Sequence, residues 1–338
     1  MNNKIVSLLT VVVVITLMTV VVLGAFVYGE TSITDASDVW SVSGNKSIIN
    51  MLMLGKDNVA GLCDVIMLIS MNFERGEVNI MQIPRDTYLN YTDNNYKKIN
   101  GALNSYGSSA AFSNALSSAL GIDIDYYFTL NLTVVEKMVD MLSGIEIDVP
   151  CNMDYEDAQQ GLSIHLKKGK QTLDGKSAVQ FLRFRSGYAT GDLGRIDAQK
   201  LFINAFGKKM SEQKNPIVYY NLTRLLISDS DTNFSEQALV PMILNGSKDK
   251  LSENYYMTAP GEAVQSDVSG AWYYVISKSS MHELLKTRFG NKQSYDEFDK
   301  SNKFVDIRVK SFYDIYIKSC ECKIYSADDI ENNLININ

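Results

Sequence analysis

The apolar positions first form continuous runs. SIINMLMLG (47–55) and VIMLISM (65–71) are apolar runs of strand length, and EVNIMQI (77–83) follows them across a short ERG turn. Continuous apolar runs are typical of strands that are covered on both faces of a sheet. These three segments therefore predict the centre of a buried sheet.

After residue 100, segments that predict helices alternate with segments that predict further strands. SSAAFSNALSSALG (108–121) predicts a helix that ends at Gly121, and DYYFTLNL (125–132) predicts a strand. A further helix is predicted from 192 to about 210. Alternating helices and strands predict an α/β fold with helices on both faces of the sheet.

Another helix is predicted between the strand at 125–132 and the strand at 145–149. The capping box Thr133-x-x-Glu136 predicts its start, and Gly144 predicts its end. IEIDV (145–149) then returns as a strand.

The N-terminal segment predicts a membrane anchor. Ile5–Val27 contains no charged residue and is long enough to cross a hydrocarbon core of about 30 Å as a helix. Phe26 and Tyr28 stand where a signal-peptide cleavage site needs small residues, so we expect the anchor to be uncleaved. Lys4 precedes the segment and acidic residues follow it, which predicts a cytoplasmic N-terminus and an extracellular domain in the single-pass protein.

The predicted organisation has five parts. They are a cytoplasmic stub (1–4), the transmembrane anchor (5–28), a polar linker (29–45), the catalytic domain (46–290) and a C-terminal tail (291–338). The tail segments VDIRV and YDIYI alternate in polarity, which is typical of edge strands.

Composition and charge exclude several classes of protein. The 338 residues carry a formal net charge of -7, whereas a general nucleic-acid-binding surface needs a broad basic face. Only two histidines occur, and no GxSxG, P-loop or HExxH motif is present, which excludes triad hydrolases, Walker NTPases and zincins. The four cysteines predict no zinc site; Cys63 and Cys151 could pair, although free thiols are the simpler interpretation.

Acidic and basic residues follow the predicted strands. Asp57 ends the first strand and Asp64 opens the second, while the third strand ends in Pro84-Arg85-Asp86. Ligands of open α/β sheets bind beyond the carboxyl ends of the strands, and two carboxylates suit Mg²⁺. Spacing alone favours the plainer interpretation, in which Asp57 makes a turn and Asp64 caps one.

The stretch FLRFRSGYATGDLGRIDAQK (181–200) concentrates arginines in an acidic chain. Arg183 and Arg185 would point to one side of an extended segment, and Arg195 and Gln199 share a face of the predicted helix. Several guanidiniums together fit the paired oxygens of a pyrophosphate. A solvated charged loop, with Asp192 pairing an arginine, fits the spacing equally well.

Taken together, these motifs resemble the LytR-CpsA-Psr family of membrane-anchored cell-wall phosphotransferases. The resemblance extends over most of residues 47–205, in the family's order. The matching motifs are LMLGKD (52–57), CDVIML (63–68), IMQIPRDTYL (80–89), KIN (98–100), GIDIDYYFTLN (121–131), VDMLSGIEIDVP (139–150), GLSIHLKKGKQTLDGKSAVQFLRFR (161–185) and GDLGRIDAQ (191–199).

The resemblance implies a three-layer α-β-α sandwich with a mixed central sheet and a hydrophobic tunnel for a polyprenyl tail. It implies transfer of an anionic glycopolymer, such as teichoic acid or capsule, from polyprenyl pyrophosphate to a peptidoglycan hydroxyl, assisted by Mg²⁺ (or Mn²⁺). Its implied partners are the lipid-linked glycan, peptidoglycan and membrane lipid, with no nucleic acid. A polyprenyl-pyrophosphate hydrolase and a non-catalytic lipid-binding scaffold are the alternatives.

Residue by residue, Asp57 and Asp64 match the metal ligands, and Asp86 and Asp192 match acids that orient arginines. Lys98 matches a lysine near the phosphates. Asp57 or Asp86 could accept the proton of the incoming hydroxyl. The residues matching the pyrophosphate-binding and catalytic positions are Arg85, Arg183, Arg185, Arg195 and Gln199. The chain departs from the family at Leu62 and Ala198, where arginines are common, so one phosphate contact is expected to be missing.

Overall fold

The computed structural model describes residues 46–57, 61–88, 98–158, 161–235, 253–266, 270–301 and 320–332. The predicted anchor, the linker and the VDIRV and YDIYI segments lie outside these residues. Within the described ranges, no helix combines the length and the apolar character needed to cross a bilayer.

The described strands form one central sheet and three pairs. The strands are β1 (Ile48–Lys56), β2 (Cys63–Asn72), β3 (Glu77–Gln82), β4 (Tyr126–Asn131), β5 (Ile145–Val149), β6 (Met153–Asp157), β7 (Leu162–Leu166), β8 (Gly169–Leu173), β9 (Asp231–Thr232), β10 (Glu253–Thr258), β11 (Gly261–Gln265), β12 (Trp272–Ile276) and β13 (Ile324–Ser326). The central sheet has the order β13-β10-β3-β2-β1-β4-β9, and the pairs are β5-β8, β6-β7 and β11-β12.

Helices lie on both faces of the central sheet. They are α1 (Ala102–Tyr106), α2 (Ser109–Leu120), α3 (Leu132–Met141), α4 (Gly175–Arg183), α5 (Asp192–Glu212), α6 (Pro216–Ser228), α7 (Lys278–Arg288), α8 (Tyr295–Ser301) and α9 (Ala327–Glu331). One apolar core joins the sheet to α3, α4 and α5, and a second core on the opposite face joins it to α1, α2 and α7. The fold is therefore mixed α/β around a central mixed sheet, as predicted.

The three predicted apolar runs form β1, β2 and β3. β1 and β3 are antiparallel to β2, and β1 is parallel to β4. β3 is parallel to β10. The carboxyl ends of β1, β3, β4 and β10 therefore lie at the same edge of the sheet, where β2 begins, and this edge carries the predicted site.

Two of the predicted helices are confirmed with their ends. The Ser108 side chain accepts a hydrogen bond from the Ala111 backbone nitrogen at 3.1 Å, which caps the start of α2, and Gly121 ends it with a φ of 61°. A left-handed φ suits glycine because it has no Cβ. The helix predicted from 192 is α5, which continues to Glu212.

The predicted capping box at Thr133 is wrong. The cap of α3 is Asn131, whose side-chain oxygen accepts from the Val134 backbone nitrogen at 3.1 Å. β4 passes directly into α3, so the last residue of the strand caps the helix and Thr133 already lies within its first turn. Asn131 is thereby held at the edge that carries the predicted site.

The C-terminal segment contributes to the sheet. β13 pairs with β10 in an antiparallel arrangement and forms one edge of the central sheet. Ala327 and Ile330 of α9 are buried in the core that also contains residues of α5. Part of the predicted tail is thus packed onto the domain.

Candidate active site

Four predicted site residues form a charged cluster at the edge of the sheet. Arg85 Nη1 donates to Asp64 Oδ1 at 2.7 Å, and Arg85 Nε lies 3.2 Å from Asp192 Oδ1. Arg195 Nη2 lies 3.0 Å from Asp192 Oδ1, and Arg195 Nη1 lies 4.0 Å from Asp64 Oδ2. Two guanidiniums and two carboxylates from three segments of the chain, namely the start of β2, the turn after β3 and the first turn of α5, therefore share one site, which we call the charged cluster.

The two guanidiniums differ in their environment. The Arg195 side chain is only 5% exposed, and burial together with nearby Arg85 lowers its pKa although Asp192 and Asp64 oppose this effect. Burial also lowers the pKa of Arg85, but its Asp192 and Asp64 neighbours raise it more, so the net direction is upward. The carboxylates are the partners that keep this buried positive charge in place.

A β-bulge directs Asp64 into the cluster. The register of β1 and β2 changes from Gly55↔Val65 to Lys56↔Cys63, so Asp64 is an extra residue on β2. Consecutive strand residues normally point to opposite faces, whereas a bulge re-aims a side chain. Asp64 and Val65 consequently line the same pocket, and the Asp64 carbonyl oxygen accepts from Arg195 Nη2 at 3.1 Å.

This pocket, which we call the apolar pocket, has a volume of about 140 Å³. Its apolar lining consists of Met53, Leu54, Val65, Met67, Leu130, Leu132, Val135, Leu182, Phe202 and Ile203. Its polar lining includes Lys56, Asp57, Asp64, Asn131, Arg183, Arg195 and Gln199. The charged residues of β1 and β2 lie at the strand ends, while the pair Met53 and Met67 lies further along the strands, so the pocket extends from charged side chains into apolar surroundings.

The prediction that Arg183 and Arg185 lie together in an extended segment is wrong, because Arg183 is the last residue of α4. Asp174 caps α4, and the buried Ala178 and Phe181 keep the chain helical through Arg183. Arg183 lines the apolar pocket, whereas Arg185 is exposed beyond the extended, buried Phe184 and does not line it. Within the described part of the chain, the structure brings Arg183 to the site but leaves Arg185 outside the pocket.

Gln199 is fixed by a residue that sequence reasoning missed. Gln82 Nε2 donates to Gln199 Oε1 at 2.8 Å, and Gln199 Nε2 reaches the Leu182 carbonyl oxygen at 3.5 Å. Both glutamines are almost fully buried. The available signal was a glutamine near the end of the predicted buried strand EVNIMQI, since a buried amide requires hydrogen-bond partners.

Lys98 and Asp86 form a pair next to Arg85. Lys98 Nζ lies 2.7 Å from Asp86 Oδ1 and 5.5 Å from the centre of the Tyr273 ring. The Arg85 carbonyl oxygen accepts from the Asn100 backbone nitrogen at 3.1 Å, which links this pair to the charged cluster. Neither Lys98 nor Asp86 lines the apolar pocket.

The two positions that lack the family's arginines have different roles here. Ala198 lies on α5 and is fully buried in the apolar core, and the Leu62 carbonyl oxygen accepts from the Asp57 backbone nitrogen at 2.9 Å. The neighbouring Cys63 is buried, which raises the pKa of its thiol to about 12. All four cysteines are free, so Cys63 and Cys151 are not bridged.

Asp57 and Asp64 are the candidates for metal binding. Both line the apolar pocket, at the end of β1 and the start of β2. Among the described residues no group of three or more histidine, cysteine or acidic side chains is arranged to hold a metal ion. Two carboxylates suit an ion such as Mg²⁺, which completes its coordination with water and phosphate oxygens.

Comparison with known proteins identifies the family. Residues 24–289 match the model of the LytR_cpsA_psr family. The polyisoprenyl-teichoic acid–peptidoglycan teichoic acid transferase TagU of Oceanobacillus iheyensis is 24% identical over 256 residues, which are 73% of this chain and 77% of the relative. The regulatory protein MsrR of Staphylococcus aureus is 27% identical over 249 residues, 72% of this chain and 74% of the relative.

The fold comparison agrees with the sequence match. The crystal structure of protein gbs0355 from Streptococcus agalactiae superposes with a TM-score of 0.64 at 20% identity, and covers 75% of this chain and 92% of that one. The match to the family model over residues 24–289 extends over more than half of the chain. The chain belongs to the LytR_cpsA_psr family.

Proposed function

We propose that this protein transfers an anionic glycopolymer from a polyprenyl-pyrophosphate carrier to a hydroxyl group of peptidoglycan. The observation that carries the proposal is the continuity of the charged cluster with the apolar pocket: Arg183, Arg195 and Asp64 line the same cavity as ten apolar side chains. A ligand that fits such a cavity has a charged head and an apolar tail. The name of the TagU relative, a teichoic acid transferase, supports this assignment.

The proposed ligand lies with its two ends in different surroundings. Arg183 and Arg195 bind the phosphates, and Gln199, whose amide is held by Gln82, donates to a phosphate oxygen. Arg85 completes the anion site from the charged cluster. The first isoprene units lie along Met53, Val65 and the apolar residues of α3 and α5.

Asp57 and Asp64 would hold the Mg²⁺ or Mn²⁺ ion, which when bound supplies positive charge that neutralises the phosphate oxygens. The protein's own contribution is to position the reactants and stabilise charge, because phosphoryl transfer needs little covalent work from the enzyme. Asp57 or Asp86 accepts the proton of the attacking hydroxyl. Lys98 and the exposed Arg185 are proposed as outer contacts of the phosphates or the polymer.

The proposed location follows from the substrate. A polyprenyl carrier remains in the bilayer, so an enzyme that binds its head group must work at the membrane surface. We propose that residues 5–28 anchor the protein as a single-pass membrane protein and that residues 46–290 lie on the cell-wall side. The anchor keeps the apolar pocket close to the lipid carrier.

The test is a transfer assay with the full chain in detergent, a synthetic pyrophosphate-linked donor and peptidoglycan oligomers. Arg183→Ala removes a guanidinium from the apolar pocket, and we expect the rate of adduct formation to fall about 10²-fold, as for other charge-stabilising donors. Arg224→Ala is the matched control, because Arg224 is exposed on α6 against the Tyr220 ring.

An unchanged rate for Arg183→Ala would overturn the assignment of the site. Release of polyprenyl phosphate without any glycan adduct would instead identify a hydrolase. Binding of the donor without release of polyprenyl phosphate would identify a scaffold.

A further inference from the structure

A polar cleft lies beside the apolar pocket and shares residues with it. The cleft has a volume of about 740 Å³, and its own lining includes Asn104, Ser108, Ser109, Thr129 and Asp231. The cleft and the apolar pocket have four lining residues in common, which are Lys56, Asp57, Leu130 and Asn131. The two cavities therefore meet at the carboxyl ends of β1 and β4.

The two cavities open on opposite faces of the central sheet. The apolar pocket is lined by Met53 and Val65, which pack against the core of α3, α4 and α5. The polar cleft is lined by Leu103 of α1, which belongs to the core on the other face. A ligand at the junction of the two cavities is thus accessible from both faces.

The lining of the polar cleft suits a neutral sugar. Ser109 and Thr129 are joined by a hydrogen bond of 2.7 Å, which ties the start of α2 to β4, and Asn104 and Ser108 add exposed polar groups. Hydroxyl and amide groups of this kind form hydrogen bonds with sugar hydroxyls and acetamido groups. Asp231 can accept from a sugar hydroxyl. Together with Asp57 it places two carboxylates in the cleft against one cation, Lys56, which disfavours the phosphates of an anionic polymer.

We infer that the polar cleft binds the acceptor, a glycan strand rich in hydroxyl and acetamido groups, a step that rests on the proposed transfer. In phosphoryl transfer the attacking and leaving oxygens lie roughly in line across the phosphorus. The leaving polyprenyl phosphate remains with its tail in the apolar pocket, so the attacking hydroxyl must approach from the other side of the junction. The polar cleft provides that approach.

The reaction balances at the junction. The acceptor oxygen forms a bond to the sugar-linked phosphorus, and the bond from this phosphorus to the oxygen of polyprenyl phosphate breaks with its electron pair. The hydroxyl proton passes to one of the two carboxylates proposed above, which are Asp86 and Asp57; Asp57 lines both cavities. The products are the phosphodiester-linked glycan and polyprenyl phosphate.

The experiment uses the full chain in detergent with the double substitution Asn104→Ala and Asp231→Ala, both at exposed positions of the cleft. Because each lost hydrogen bond weakens binding by a small factor, we expect the KM for peptidoglycan oligomers to rise about tenfold. The KM for the lipid-linked donor should not change. The Kd for a tetramer of N-acetylglucosamine, measured by NMR titration, should rise by a similar factor.

The matched control is Asn114→Ala with Asp148→Ala, which removes one amide and one carboxylate from exposed positions on α2 and β5 outside the cleft. Unchanged acceptor KM and tetramer Kd in the Asn104 and Asp231 variant would overturn the inference. A raised donor KM with normal tetramer binding would also overturn it, because the cleft would then hold the donor's glycan. If the wild-type chain binds the tetramer through this cleft but forms no adduct, the cleft is supported and the proposed transfer fails.

Discussion

At the scale of single residues, Asp192 connects the two guanidiniums of the charged cluster. One of its oxygens lies within 3.2 Å of both Arg85 and Arg195. The Arg195 side chain is 5% exposed, so its charge depends on the neighbouring carboxylates rather than on water. The charged cluster is therefore expected to lose stability when one of its carboxylates is removed.

Asp192→Ala should destabilise the fold by about 3–5 kcal/mol, because it removes the carboxylate nearest to the buried Arg195 charge and leaves Asp64, 4.0 Å away, as its remaining acidic partner in the charged cluster. Chemical denaturation measures this change, and Asp229→Ala is the control because the interactions it removes, with Lys137 and the Ser228 hydroxyl, are exposed. Inorganic pyrophosphate should raise the Tm of Asp192→Ala more than that of the wild type, since the anion replaces the lost charge. A variant as stable as the wild type would show that the charged cluster does not depend on Asp192.

At the scale of the elements, the β1–β2 bulge shapes both the charged cluster and the apolar pocket. Gly55 faces Val65 so closely that a Cβ at position 55 would lie 2.9 Å from the Val65 Cβ. The glycine therefore permits the close approach of the two strands next to Asp64. The bulge and Gly55 act together, since one aims Asp64 and the other leaves room for its neighbour.

Gly55→Ala should destabilise the protein by about 1–3 kcal/mol through overpacking against Val65. Adding Val65→Ala should recover part of this loss, so a double-mutant cycle should show favourable coupling. Gly207→Ala in α5 is the control: a Cβ there meets nothing within 4 Å, and stability should rise by about 0.5–1 kcal/mol. Additive effects of Gly55→Ala and Val65→Ala would contradict the proposed contact.

Local patterns predicted the elements well where one signal dominates. The apolar runs of β1 to β3 are compatible with few secondary structures other than buried strands. The Ser108 cap and Gly121 define both ends of α2. The start of α3 was mispredicted because Asn131 and Thr133 are both good cap residues, and only the direct passage of β4 into the helix decides between them. The spacing of Arg183 and Arg185 also suits an extended segment, but the Asp174 cap and the burial of Ala178 and Phe181 continue α4 through Arg183.

At the scale of the whole molecule, the site depends on contacts that no local pattern contains. Arg85, Asp64 and Arg195 come from three elements, and the order of the family motifs predicted that they would meet. The hydrogen bond from Gln82 to Gln199 joins residues 117 positions apart, so no local sequence pattern predicts it. The two cavities are likewise a product of assembly, because each requires helices packed on its own face of the sheet.

The central claim is that a lipid-borne pyrophosphate binds with its head at the charged cluster and its tail in the apolar pocket. The most direct measurement is photo-crosslinking of the full chain with a polyprenyl pyrophosphate that carries a diazirine on the isoprene unit nearest the phosphates, followed by peptide mass spectrometry. The account predicts labels on Met53, Val65, Val135 or Phe202 that unlabelled polyprenyl pyrophosphate abolishes and Arg183→Ala weakens. Competable labels confined to residues outside the apolar pocket would contradict it.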